Sequence, residues 1–261
     1  MDLLIGTFVL RPYVFGFLAA FIIAAATDLG WRRALLFAAW VFPLAWLSEF
    51  ASTRIGIPFG FYQYTGTTHG QELFIADVPL MDCLSFTFLA YSAFCLARAA
   101  LGARRPPASV IALASGVLMM LLDVVIDPAA VRGDRWFLGR IFFYPDGGVY
   151  FGVPLSNFTG WMVLGTLSVA GYVSWSRWCP DPDARRLTGR GTDRVDRYGR
   201  RVWPGIALYY AVLAFNLVVT GWIGEWLLLV VGAAVHAVTV AVLWNIGLRP
   251  ATRLGLEKQR A

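Results

Sequence analysis

The chain has 261 residues, 58% of them hydrophobic and 15% charged, and its mean hydropathy is +0.63. Soluble domains are not built this way, so the composition indicates an integral membrane protein. The formal net charge is +6, but the basic residues lie in a few short stretches without interleaved aromatics, a pattern of membrane topology that excludes a nucleic-acid surface.

Asp2 is the only charge among the first ten residues, so the first apolar run lacks a basic leader. It is expected to be retained as a helix despite the cleavage-like AAATDLG. Apolar runs long enough to cross about 30 Å of hydrocarbon lie near 12–29, 33–51, 79–101, 107–127, 155–178, 203–221 and 224–246. They predict an all-α polytopic membrane protein of about seven transmembrane helices, a single integral membrane domain over 1–261. Arg32 and Arg33 follow the first run, Arg98, Arg104 and Arg105 the third, RRLTGRGTDRVDRYGRR the fifth, and Arg249, Arg253, Lys258 and Arg260 the seventh. By the positive-inside rule these ends face the cytoplasm. The protein is then expected in the cell membrane with its N-terminus outside, a basic cytoplasmic loop at 179–202 and a basic cytoplasmic tail at 247–261. Cys83 and Cys95 share one predicted helix and Cys179 lies on the cytoplasmic side, so reduced thiols that serve in packing are expected.

Two long outer connections, 52–78 and 128–153, are rich in aromatics and Gly. They are expected to lie in the interface or fold back over the bundle, with Tyr62, Tyr64, Trp136, Tyr144 and Tyr150 near headgroup level. The connections belong to a weak parallel repeat. VPLMD at 78–82 opens the third run and VPLSN at 153–157 opens the fifth. Each follows an aromatic loop, and each loop follows a helix ending in acid: Glu49 in the first unit, Asp123 and Asp127 in the second. Asp82 and Asn157 occupy the same place in the two units. At a rise of about 1.5 Å per residue, Glu49 lies roughly 24 Å from Arg33, Asp82 roughly 24 Å from Arg98 and Asp123 roughly 27 Å from Arg105. Three helices therefore carry acids at one height, which predicts a pocket rather than separate interfacial residues.

The chemistry open to that pocket is narrow. His69 and His236 are the only histidines, too few for a multi-histidine iron site, and no dinucleotide fingerprint follows a strand-like segment. Acid–base chemistry by carboxylates remains. Asp123 and Asp127 share a helix face at i, i+4, and a carboxyl beside a like neighbour in greasy surroundings can keep its proton and serve as a general acid. Protonation of an alkene would give a carbocation that aromatic faces stabilise and water captures.

The stretch EFASTRIGIPFGFYQY from Glu49 to Tyr64, VPL at 78–80, DVVIDP at 123–128 and GVPLSNFTGW at 152–161 resemble the CruF-type membrane proteins of carotenoid biosynthesis, a family that includes bisanhydrobacterioruberin hydratase and the carotenoid 1,2-hydratases. The resemblance runs from the second span to the fifth. It implies hydration of the terminal C1=C2 double bond of an acyclic C40 or C50 carotenoid, giving a tertiary 1-hydroxy group without a redox cofactor or metal. It also allows association with other membrane enzymes of the pathway. Carried onto this sequence, its motif residues are Glu49, Gly60, Tyr62, Tyr64, Asp123, Asp127 and Asn157.

Asp123, Asp127, Glu49 and Asp82 are the candidate catalytic acids, with Asp123 first as proton donor. Tyr62, Tyr64, Asn157, Trp161 and Phe59 are candidates for substrate binding. Each has a plainer reading. Asp123 could make a structural hydrogen bond, Asp127 could cap a helix end before Pro128, Glu49 could pair with Arg54, and Asp82 suits a helix N-terminus. Asp77 is expected to cap a helix, Glu225 to be interfacial, and His236 to make an interhelical hydrogen bond. Two other functions fit the same residues. D-x-x-x-D at 123–127 is half of an aspartate-rich diphosphate site, as in a Mg²⁺-dependent prenyltransferase, although no second such motif lies in a span. A proton-coupled transporter or lipid-binding protein is compatible with the parallel repeat.

Overall fold

The structure is a computed structural model that describes residues 2–102, 106–176 and 193–247. Eight helices are present among these residues: α1 (Leu3–Leu10), α2 (Pro12–Leu29), α3 (Trp31–Ile55), α4 (Leu80–Leu101), α5 (Ala108–Ala130), α6 (Leu155–Ser176), α7 (Asp193–Trp222) and α8 (Trp226–Gly247). Six of them, α2 to α5, α7 and α8, contain segments long and apolar enough to cross a membrane. α6, predicted as the fifth of the seven spans, has the length at 22 residues, but Asn157, two Thr, four Ser and three Gly dilute its hydropathy. α1 was not predicted. It precedes the first predicted run, which Pro12 opens as α2.

Two boundaries differ from expectation. α7 begins at Asp193, so the predicted loop at 179–202 ends earlier than its charge suggested, and its part before 193 lies outside the described residues. The tail predicted at 247–261 lies outside them apart from Gly247. α5 continues through Pro128 to Ala130, so Asp127 is a helical residue and not a terminal cap.

α4 is the central helix. Tyr91, Ala93, Cys95 and Ala97 on it have no exposed surface, and α2, α3, α5 and α7 all pack on it. At the end of α4 away from the outer loops, Arg98 pairs with Asp28 of α2, which also accepts a hydrogen bond from Tyr91 Oη at 3.2 Å. Arg98, read as a topogenic charge, thus also ties two helices together. Cys83 and Cys95 are buried free thiols, as expected, while Cys179 lies outside the described residues. His236 Nε2 lies 2.9 Å from Leu121 O, an α8–α5 contact of the kind foreseen.

α5 and α6 approach closely through glycine. A Cβ placed on Gly116 would lie 2.3 Å from Met162 O, and one on Gly165 would lie 2.9 Å from Gly116 Cα. Small residues permit such packing where no water is available to drive helices together. Gly116→Val is therefore expected to destabilise the protein by about 1–3 kcal/mol through overpacking. Thermal unfolding in detergent should show a transition several degrees below that of the native chain.

The two outer connections fold back onto the bundle. They pair with each other through β1 (Gln63–Tyr64) and β4 (Phe142–Phe143), antiparallel, with Tyr64 opposite Phe142. The repeat seen in the sequence has a structural counterpart. β2 (Phe74–Ile75) turns through Ala76 and Asp77, both at positive φ, into β3 (Val78–Pro79), and α4 follows. Tyr150 pairs with Val153 across Phe151 and Gly152, again both at positive φ, and α6 follows Pro154. Two positive φ values in succession are what a type I′ hairpin turn requires. Each unit thus starts its second helix from a tight hairpin, and the third residue of that helix is Asp82 in one and Asn157 in the other. Asp77 lies in the turn and pairs with Arg54, so it is not the cap expected of it.

Candidate active site

A cavity of about 150 Å³ lies beneath the paired outer loops, among α2 to α7. Glu49, Asp82, Asp127, Asn157, Phe59, Tyr62, Tyr64 and Trp161, all singled out in the sequence, line it together. Asp123 does not. It has no exposed surface and sits behind Asn157, one helical turn deeper than Asp127. The first-ranked donor is therefore separated from the cavity by Asn157 and Asp127, which contact it.

Asn157 organises the α5 acids. Its Nδ2 donates to Asp123 Oδ2 at 2.6 Å and to Asp127 Oδ2 at 2.9 Å. Asp127 N also donates to Asp123 Oδ1 at 3.3 Å. Tyr144 Oη, from the second loop, lies 3.5 Å from Asp127 Oδ2. On the opposite wall Tyr64 Oη donates to Glu49 Oε2 at 2.9 Å. The alternative partner of Glu49 is thereby excluded: Arg54 bonds Ala76 O and pairs with Asp77 instead. Burial foremost, and then the nearby carboxylates, raise the pKa of Tyr64 and Tyr144, so both phenols stay protonated and act as donors.

Arg11 and Glu72 adjoin these acids, and the sequence reading missed both. Arg11 is 3% exposed, and its two terminal nitrogens each lie 2.8 Å from a carboxylate, Nη1 from Asp82 and Nη2 from Glu72. Its signal was available, since it is the one charge inside LLIGTFVLRPYVFGF. Glu72 sits in an irregular loop segment where no periodicity marks burial. One guanidinium cannot neutralise the carboxyl groups of Glu49, Glu72, Asp82, Asp123 and Asp127 together.

The other walls are aromatic or aliphatic. Phe59 stacks on Phe86 at 5.8 Å between centroids, and Trp161 lies 4.8 Å from Phe86. The cavity continues along Phe17, Phe88, Leu89, Val212 and Phe215. Tyr62 is 4% exposed and Trp136 6%, and Tyr64 and Tyr144 point to the acids, so these rings are not headgroup anchors as first expected. They turn inward because the β1–β4 pairing draws the loops over the acids. Gly60 sits at φ +85°, where an L side chain is strained, and a Cβ would meet Ser156 Oγ at 2.5 Å. Glu225, expected at the interface, pairs with Arg132 and Arg135 and fastens the second loop to the α7–α8 turn.

Fold and cavity together define a polytopic α-helical membrane protein with a carboxyl–phenol site opening into an aromatic hollow. Residues 8–239 match the family described as "Carotenoid biosynthesis protein", and the chain belongs to that family. Bisanhydrobacterioruberin hydratase of Haloarcula japonica is 33% identical over 167 residues, covering 64% of this chain and 51% of that protein. The match thus spans about half the length of that relative. No solved structure matches the chain.

Proposed function

We propose that the protein is a carotenoid hydratase that adds water across the terminal C1=C2 bond of an acyclic, ψ-ended carotenoid. The observation that carries this reading is the composition of the cavity: carboxyl groups held by neutral phenols and an amide at one end, apolar rings at the other. The name of the relative supports it. A hydrocarbon end group fits the rings, and an alkene is a substrate on which a carboxylic acid alone can start chemistry.

Asp127, which faces the cavity, is the proton donor. Its O–H bond breaks as the π electrons of C1=C2 form a C–H bond at C2, leaving a tertiary cation at C1. The faces of Phe59, Phe86 and Trp161 stabilise that charge. Water attacks C1 and loses a proton to a carboxylate of the cluster, Glu49 or Asp82, so no net proton is consumed. Asp123 acts through Asn157, sharing the charge that develops on Asp127. The polyene reaches the site from lipid between α2 and α7, where Tyr13 stacks on Phe215 at 5.2 Å and both rings line the cavity. The site faces the outer side of the cell membrane, with the C-terminus cytoplasmic, as the distribution of basic residues indicates.

A diphosphate-using prenyltransferase would need free cations at this site. Arg11 lines the cavity, but both of its terminal nitrogens are engaged by carboxylates. Purified protein in detergent, incubated with lycopene and H₂¹⁸O in the presence of EDTA, should yield a hydroxylated product carrying the label. Unchanged carotenoid alongside a competent control would favour a transport or binding role. Activity that depends on added Mg²⁺ would favour the prenyltransferase.

A further inference from the structure

Three phenols stand over the acids, and they are not equivalent. Tyr64 Oη is committed to Glu49 at 2.9 Å, and Tyr144 Oη approaches Asp127 Oδ2 at 3.5 Å. Tyr62 lies between them, with ring centroids 5.5 Å from Tyr64 and 5.7 Å from Tyr144. Its side chain lines the cavity and is 4% exposed, yet its hydroxyl is buried without a hydrogen-bond partner. Leaving a buried hydroxyl unpaired costs about 1–3 kcal/mol. Phenylalanine would fill the same space without that cost, so the oxygen points to a ligand.

We propose that the Tyr62 hydroxyl seats the reacting water. This rests on the hydratase reading, in which the end of the substrate that enters the cavity is hydrocarbon. Water is then the only hydrogen-bonding species that the reaction brings to the site. Held by Tyr62 between the Asp127 side and the Glu49 side, the water is positioned to reach C1 once C2 has received its proton. The oxygen lone pair forms the C1–O bond, and the water O–H bond breaks toward a carboxylate. Without the held water, the cation has one other outlet. A C–H bond adjacent to C1 breaks, its electrons re-form an alkene, and the proton returns to a carboxylate.

The two outlets are separable in D₂O. Native enzyme should give mainly 1-hydroxy product and little deuterium in recovered carotenoid. Tyr62→Phe removes a single oxygen and should still protonate the substrate, so deuterium should enter recovered carotenoid while hydration falls. The ratio of exchange to hydration is expected to rise by about tenfold or more, the effect of losing one hydrogen bond in a transition state. Carotenoid binding, followed by quenching of tryptophan fluorescence, should be unchanged in the variant. An unchanged ratio, whether both outlets fall together or neither falls, would overturn the proposal, as would loss of binding, which would make Tyr62 structural. If the native enzyme itself forms no hydroxylated product, the hydratase reading fails instead, so the two failures are distinguishable.

Discussion

Asp127→Asn is expected to reduce hydration by about 10²–10⁴-fold, the contribution of a well-placed general acid. The substitution keeps the shape of the side chain, and the Asn oxygen can still accept from Asn157 Nδ2, so the fold should persist. Only the transferable proton is lost. Asp123→Asn should have a milder effect, about tenfold, because Asp123 does not line the cavity and meets it through Asn157 and Asp127, which contact it at 2.6 and 3.3 Å. Product formation from a ψ-ended carotenoid, measured by chromatography at equal protein levels, compares the two. Equal turnover of both variants and the native enzyme would remove the acids from the mechanism. A severe loss in Asp123→Asn with Asp127→Asn spared would reverse their roles.

Arg11→Met should be the most destabilising single change near the site. Arg11 and Glu72 are 3% and 0% exposed, and Asp82 shares the same guanidinium. Removing the cation leaves two carboxylates facing each other without compensation, which costs about 3–5 kcal/mol for a buried pair. The loss would spread. Thr7 Oγ1 accepts from Leu73 N at 2.9 Å, so α1 and the first loop are held by neighbouring contacts. Thermal unfolding in detergent should show a large drop for Arg11→Met. Most of it should be recovered in the triple variant Arg11→Met, Glu72→Gln, Asp82→Asn, where no charge remains to be paired. Arg11→Met at native stability would show that the network contributes nothing to the fold.

Much of this could be read from the sequence, for definable reasons. Membrane helices announce themselves because a run of about 20 apolar residues has few other uses. The acid layer was legible because Asp123 and Asp127 share a face and because the VPL repeat placed Asp82 and Asn157 at equal positions. What escaped depends on tertiary contacts. Four residues along α5 amount to about 6 Å, and that one turn decides whether an acid meets the cavity or lies behind Asn157. The inward turn of Tyr62, Tyr64 and Tyr144 follows from a pairing of two-residue strands, too short to leave a period in the sequence. Glu72 was invisible because its partner is 61 positions away. The sequence reading treats α6 as an ordinary apolar span, although its Gly165 serves a close approach to Gly116 of α5.

The proton transfer from a cavity carboxyl to the terminal alkene is tested most directly by the fate of the hydrogen at C2. Turnover of a ψ-ended carotenoid in D₂O should give a 1-hydroxy product with one non-exchangeable deuterium at C2, formed by the native enzyme and nearly absent with Asp127→Asn. A hydroxylated product without deuterium at C2, or one formed equally well by Asp127→Asn, would contradict it.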